Sequence, residues 1–267
     1  MNTKIKKITI LPGTNKHSEK EQFEKIDIER GQAIAIVGAT GAGKSQLLYD
    51  IERLAQNDTK SNRLILVNNK KPDKTIRFDP KQKLIASLAQ SMNFLTDISV
   101  YDFLKLHLES RGKKPSKKLI DEVIQEANEI TGEAISPNIN LLNLSGGQSR
   151  ALMISDVANI SDSPIILIDE IENAGIKKEK ALNILMQEGK IILMVTHDPS
   201  LALNADKRII IEYGGIINVL HTTLKEKGIA HYINWIESYN LNIRNKIRQG
   251  EEIKNVELYC KPIKPKK

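Results

Sequence analysis

The sequence predicts an α/β protein built on a parallel sheet, and three short stretches carry that prediction. In QAIAIVGATGAGKSQLLYDIERLA an apolar run passes through glycines into Leu47, Leu48, Ile51 and Leu54, whose spacing marks one buried helix face. SPIILIDE (163–170) and GKIILMVTHD (189–198) are near-continuous apolar runs that stop at polar residues. Such runs suit strands covered on both faces, as in a parallel sheet. Ligands of open parallel sheets sit beyond the carboxyl ends of the strands. The three polar ends are therefore expected to meet at one site.

The other elements follow in chain order. SVYDFLKLHLESRGKKPSKKLIDEVIQEANEI has helical periodicity interrupted by a loop at RGKKPS, and it reads as a helical lobe inserted between the first two strands. RIIIEYGGIINVL closes the core. Beyond it Ile229, Ile233, Ile236, Ile243 and Ile247 recur at helical intervals, which predicts one helix or a kinked pair whose isoleucine row buries against its own domain or a partner. The end, YCKPIKPKK, is a loose basic tail because its prolines oppose a helix. The expected organisation is a main domain over 1–220, with the helical lobe at about 91–160, and a helical extension with basic tail over 221–267. No internal repeat is visible.

Composition excludes several classes. A chain of 267 residues with 40% hydrophobic and 27% charged side chains can bury a sizeable core. Its apolar runs, such as Ile191 to Val195, fall far short of the roughly 18 residues that suggest a membrane span, and MNTKIKKITILPG has no leader-like apolar region. One cysteine, Cys260, makes no internal disulfide, and no Cys/His cluster has zinc-ligand spacing. The cytoplasm is the expected compartment. The net charge of +7 is spread among acids along the chain, as on a solvated surface, so nucleic acid is not an expected partner.

Gly38-Ala39-Thr40-Gly41-Ala42-Gly43-Lys44-Ser45 satisfies G-x-x-x-x-G-K-[ST] between a predicted strand and a predicted helix. The glycines let backbone N–H groups turn toward phosphate, Lys44 neutralises the β/γ oxygens and the Ser45 hydroxyl ligates magnesium. The chain is thus expected to be a P-loop NTPase that binds Mg-ATP. Asp169, at the end of its strand, is placed to hold Mg2+ through water. Glu170 beside it can polarise an attacking water. His197 follows the third strand and can reach the γ-phosphate or that water. His17, His107, His221 and His231 are read as structural.

LSGGQ (144–148), upstream of Asp169, completes a set that resembles the ATP-binding-cassette (ABC) ATPases over about residues 20 to 215. Ser145 can cap a helix starting near Gln148, leaving the amides of Gly146 and Gly147 at its positive end. The resemblance implies a RecA-like parallel core with an antiparallel β edge. It implies that Ser145, Gly146, Gly147 and Gln148 face the γ-phosphate on a partner's phosphate loop, in a homodimer or a heterodimer with another ABC ATPase subunit. It also implies that Gln90 touches magnesium and the catalytic water.

Several positions depart from the family's pattern. Gln46 stands where a second Ser/Thr is usual, although the nucleotide remains within its reach. Ile171 replaces the usual proline, and ENAGI (172–176) lacks the family's aspartate, with Ile176 near its place. The separation of Asp169 from His197 is short, which predicts a trimmed intervening helix. The family's base-stacking aromatic has no clear counterpart: LPGTNKHSEKEQ offers only His17, and Phe23 is read as core. The choice between ATP and GTP is left open. Two roles fit these residues: the ATP-binding subunit of a transporter, working with a separate permease at the inner face of a membrane, or a soluble ATPase that remodels or reactivates a cytosolic client, assembles a cofactor or maintains nucleic acid.

Overall fold

The computed structural model describes residues 5–78, 84–89, 93–170, 176–187 and 189–253. Strand β1 (Lys7–Leu11) pairs antiparallel with β2 (Ile26–Glu29). Strand β3 (Ala33–Val37) leads through the phosphate loop to helix α1 (Lys44–Glu52). Then come β4 (Leu64–Val67), α2 (Lys74–Phe78) and β5 (Ile85–Leu88). The helical lobe holds α3 (Val100–Ser110), α4 (Lys117–Thr131) and α5 (Gly146–Asn159). The chain returns through β6 (Ile165–Asp169), α6 (Lys178–Gln187), β7 (Ile191–Val195) and α7 (Pro199–Asn204). It continues as β8 (Lys207–Glu212), β9 (Gly215–His221) and α8 (Leu224–Arg248).

The larger sheet has the order β5-β6-β7-β3-β8-β9, parallel except for β9, which runs antiparallel to β8 at the edge. A separate antiparallel sheet, β2-β1-β4, supplies further antiparallel structure. Strand periodicity explains how the central strands are buried on both faces. Ile34, Ile36, Leu167 and Leu193 join Leu47 and Ile51 of α1 in one core. Ala35, Ile168, Ile192 and Met194 join Leu104 of α3, Val123 of α4 and Leu152 of α5 in the other. Phe23 packs against the first core, as read from sequence.

The lobe is amphipathic where the periodicity requires it. Ile120, Val123, Ile124, Ala127 and Ile130 form the buried stripe of α4, which packs on α5. Ser99 caps α3 by accepting a hydrogen bond from the Asp102 amide at 3.1 Å. Helix α6 is a ten-residue element, in keeping with the short separation of Asp169 and His197.

The helical extension is one continuous helix, α8, packed along α7, with Ala230 fully buried. The isoleucine row buries only in part on its own domain: Ile233 and Ile243 are half-buried, while Ile229, Ile236 and Ile247 are exposed. Among the described residues, no helix is long and apolar enough to cross a membrane.

Candidate functional site: a phosphate loop at the carboxyl edge of the sheet

The strand register brings the predicted groups to one edge. Ile36 of β3 is level with Val195 of β7, and Val195 is level with Asp169 of β6. The phosphate loop, Asp169–Glu170 and Thr196–His197 therefore leave neighbouring strands at the same height.

Within the loop, Gly43 is the N-cap of α1 with φ 103°, and a Cβ there would lie 2.7 Å from the Cα of Gly214. Glycine is required on both grounds. A Cβ on Gly38 would lie 2.4 Å from the Ile211 carbonyl oxygen. The first turn of α1 has no acidic residue and Ser45 is exposed, so the positive helix end is open to an anion. Lys44 is buried, and its Nζ donates to the carbonyls of Gly38 at 2.9 Å and Ala39 at 3.1 Å, which keeps the ammonium inside the loop. Ala39, Thr40 and Gly41 are exposed on the loop's outer turn. Gln46 follows in the first turn of α1. Its Nε2 donates to Asp50 Oδ1 at 2.8 Å, one helical turn along and away from the loop.

Asp169 ends β6. Glu170 follows with φ 51°, a left-handed conformation that a glutamate adopts at a cost of about 1–3 kcal/mol. Two backbone bonds hold it there. Its amide donates to the Val195 carbonyl at 3.1 Å, and its carbonyl accepts from Arg150 Nη1 of α5 at 3.1 Å. The Glu170 carboxylate lies 3.8 Å from His197 Nε2, and the imidazole is about half exposed.

Asp198 fixes the backbone just after His197. Its Oδ1 accepts the amides of Ser200 and Leu201 at 2.8 and 3.0 Å, capping α7, and its other oxygen pairs with Lys178. Burial alone would raise the Asp198 pKa, but hydrogen bonds from Lys178 and Ser200 outweigh it and the carboxyl is lowered. Burial likewise opposes the Lys178 ammonium, and contact with Asp198 and Glu237 leaves its pKa raised.

The LSGGQ segment begins a helix two residues earlier than predicted. Ser145 is the N-cap of α5 and Gln148 its third residue, and the two form a reciprocal box: Gln148 N donates to Ser145 Oγ at 3.2 Å and Ser145 N to Gln148 Oε1 at 2.9 Å. Gly146 and Gly147 thus lie in the first turn, which holds no acidic residue. Ser145 and Gln148 also contact Glu133 and Ala134 of the helical lobe. Among the described residues, a Cβ on Gly146 would meet nothing within 4 Å.

Gln90 and residues 171–175, which include Ile171 and most of ENAGI, lie outside the described residues; Ile176 is buried. Sequence reasoning missed Arg150, whose place after LSGGQ gives no hint of its contact with Glu170. It also missed Asp198, although Asp-Pro-Ser is a recognisable cap sequence.

A protein-family model described as ABC transporter matches residues 24–173. The chain belongs to the ABC transporter family. It is an ABC-type ATPase, and it is 51% identical over 249 residues to an uncharacterized ABC transporter ATP-binding protein of Methanocaldococcus jannaschii, covering 93% of this chain and 95% of that one. It is 26% identical over 242 residues to the macrolide export ATP-binding/permease protein MacB of Neisseria meningitidis, covering 82% of this ABC chain but 36% of the relative. Among solved structures, a dimeric ATP-binding cassette in a post-hydrolysis state bound to ADP and Pi matches with a TM-score of 0.58 and 21% identity, over 81% of this chain and 99% of that one. This last likeness is one of fold.

Proposed function

We propose that this ABC ATPase is the ATP-binding subunit of a transporter, hydrolysing ATP held between two ATPase subunits. The observation that carries the reading is the common height of the phosphate loop, Asp169–Glu170 and His197 on three adjacent strands. The amides of residues 41–45 and Lys44 bind the triphosphate. Ser45 and Asp169, both hard oxygen donors, suit Mg2+, with Gln90 as a third candidate; the bound ion neutralises phosphate charge. Glu170 takes the proton of the attacking water and His197 orients the reacting groups.

The capped start of α5 supports the two-subunit arrangement. Among the described residues no packing demands glycine at 146, and its lack of a side chain leaves backbone amides open to a phosphate brought by another subunit. The partner is a second copy or another ABC ATPase. The relatives' names, ABC transporter ATP-binding protein and ATP-binding/permease protein, favour work with a membrane permease over the soluble role. The subunit would then sit in the cytoplasm, peripheral to the membrane through that permease.

Glu170→Gln keeps the size and a hydrogen bond of the side chain but removes the charge that attracts a proton. Steady-state turnover should fall roughly 10²-fold or more, with calorimetric ATP affinity retained. Turnover at the wild-type rate would remove Glu170 from the reaction.

A further inference from the structure

We propose that Tyr213, in the turn between β8 and β9, is the platform on which the base of the bound nucleotide stacks. The proposal rests on the reading of Gly38–Ser45 as the triphosphate cradle. The loop between β1 and β2 carries two rings, Phe23, which packs against the core, and His17, whose ring centroid is 5.5 Å from that of Tyr213, with the planes inclined at 55°. Tyr213 is 60% exposed, so its ring keeps surface for a second partner.

The turn that carries the ring is attached to the phosphate loop at several points. Gly214 N donates to the Ala42 carbonyl at 2.6 Å, and the close approach of Gly43 to Gly214 leaves no room for a side chain between them. Lys16 N donates to the Tyr213 carbonyl at 2.8 Å, while Lys16 Nζ donates to the Gly41 carbonyl at 2.8 Å. Tyr213 has φ 46°, a conformation uncommon for a bulky residue and fixed here by those two bonds at its own carbonyl and at the next amide.

A buried ionic network secures the foundation. Arg63 and Asp50 are fully buried and Glu21 nearly so. Arg63 reaches Asp50 at 2.8 Å, Glu21 at 2.6 Å and the Gly214 carbonyl at 2.7 Å. Glu21 also accepts the amides of Gly13 at 2.8 Å and Ile216 at 2.6 Å. The helix that begins the phosphate site, the His17 loop and the Tyr213 turn are thereby tied into one unit. A turn already held in place presents the ring to the ligand without a further cost of ordering the backbone. A purine, with two flat faces and ribose as its link to the phosphates, is the ligand this arrangement fits.

Calorimetric titration of the full chain with ATP and with inorganic tripolyphosphate separates base from phosphate binding. Tyr213→Asn removes the ring with a residue that tolerates left-handed φ. It should weaken ATP binding by about 5- to 150-fold, the ratio equivalent to the ~1–3 kcal/mol of one base–aromatic stack, and leave tripolyphosphate binding unchanged. Tyr213→Phe should bind ATP as the wild type does. Unchanged ATP affinity in Tyr213→Asn, or an equal loss for ATP and tripolyphosphate, would overturn the proposal. Failure of the underlying cradle reading looks different: wild type and Lys44→Ala would then bind ATP alike.

Discussion

Lys44 folds its ammonium onto the Gly38 and Ala39 carbonyls, so the positive charge is already inside the loop that would receive the phosphates. The backbone there is set by glycine conformations and by the β8–β9 turn, not by the lysine stem. Lys44→Ala should therefore weaken ATP binding by about 10- to 100-fold or more, from the loss of a charged hydrogen bond worth ~1.5–3 kcal/mol, while the circular dichroism spectrum stays that of wild type. At this scale the sequence was informative where chemistry is local. Residues 38–45, 145–148 and 169–170 each carry their meaning within a few positions, and the structure brings the phosphate loop, Asp169–Glu170 and His197 to one sheet edge. Gln46 shows the opposite case. Nothing beside it in sequence reveals that its amide is bound to Asp50, whose other oxygen serves Arg63 and Ser61. Tyr213 was equally hidden, because its nearness to the phosphate loop comes from the pairing of β3 with β8 and the turn into β9.

Strands β3, β6 and β7 were legible because burial on two faces leaves an unbroken apolar run, a pattern few other elements produce. Helix α5 was legible in kind but not in its first residue, since glycines at 146 and 147 read as loop until the Ser145–Gln148 box is seen closing around them. The link between elements that no local pattern announces is Arg63 at the start of the β4 region. It joins α1, the loop after β1 and the β8–β9 turn through charges shielded from water. Breaking one member of such a set strands the others, at a cost of about 3–5 kcal/mol. Arg63→Ala should consequently lower the melting temperature by roughly 6–20 °C in differential scanning calorimetry, given ~2–4 °C per kcal/mol for a domain of this size. A shift under about 2 °C would mean that the three segments hold together without it.

For the whole molecule, the separation of the two helix starts proposed to meet phosphate matters most. One chain offers a phosphate loop on the β3–α1 junction and an amide-lined helix start on α5, the latter tied to the lobe through Glu133 and Ala134. If these ends meet on two different subunits, Glu170→Gln with ATP and magnesium should elute as a dimer in size-exclusion chromatography. Adding Ser145→Arg should return it to monomer by obstructing the amides. A dimer that survives Ser145→Arg would place the subunit contact elsewhere. Helix α8 gives the molecule a different property. At 25 residues it is about 37 Å long from its rise per residue, yet its anchorage runs from Ala230 to the Lys178–Glu237 pair just past its middle, while Leu241 and Ile247 are exposed. Its amide protons should therefore record a gradient. In deuterated buffer the turns after Leu241 should exchange first, the turns around Ala230 later, and the amides of β3, β6 and β7 last, so that one helix spans much of the range of local opening energies in the protein.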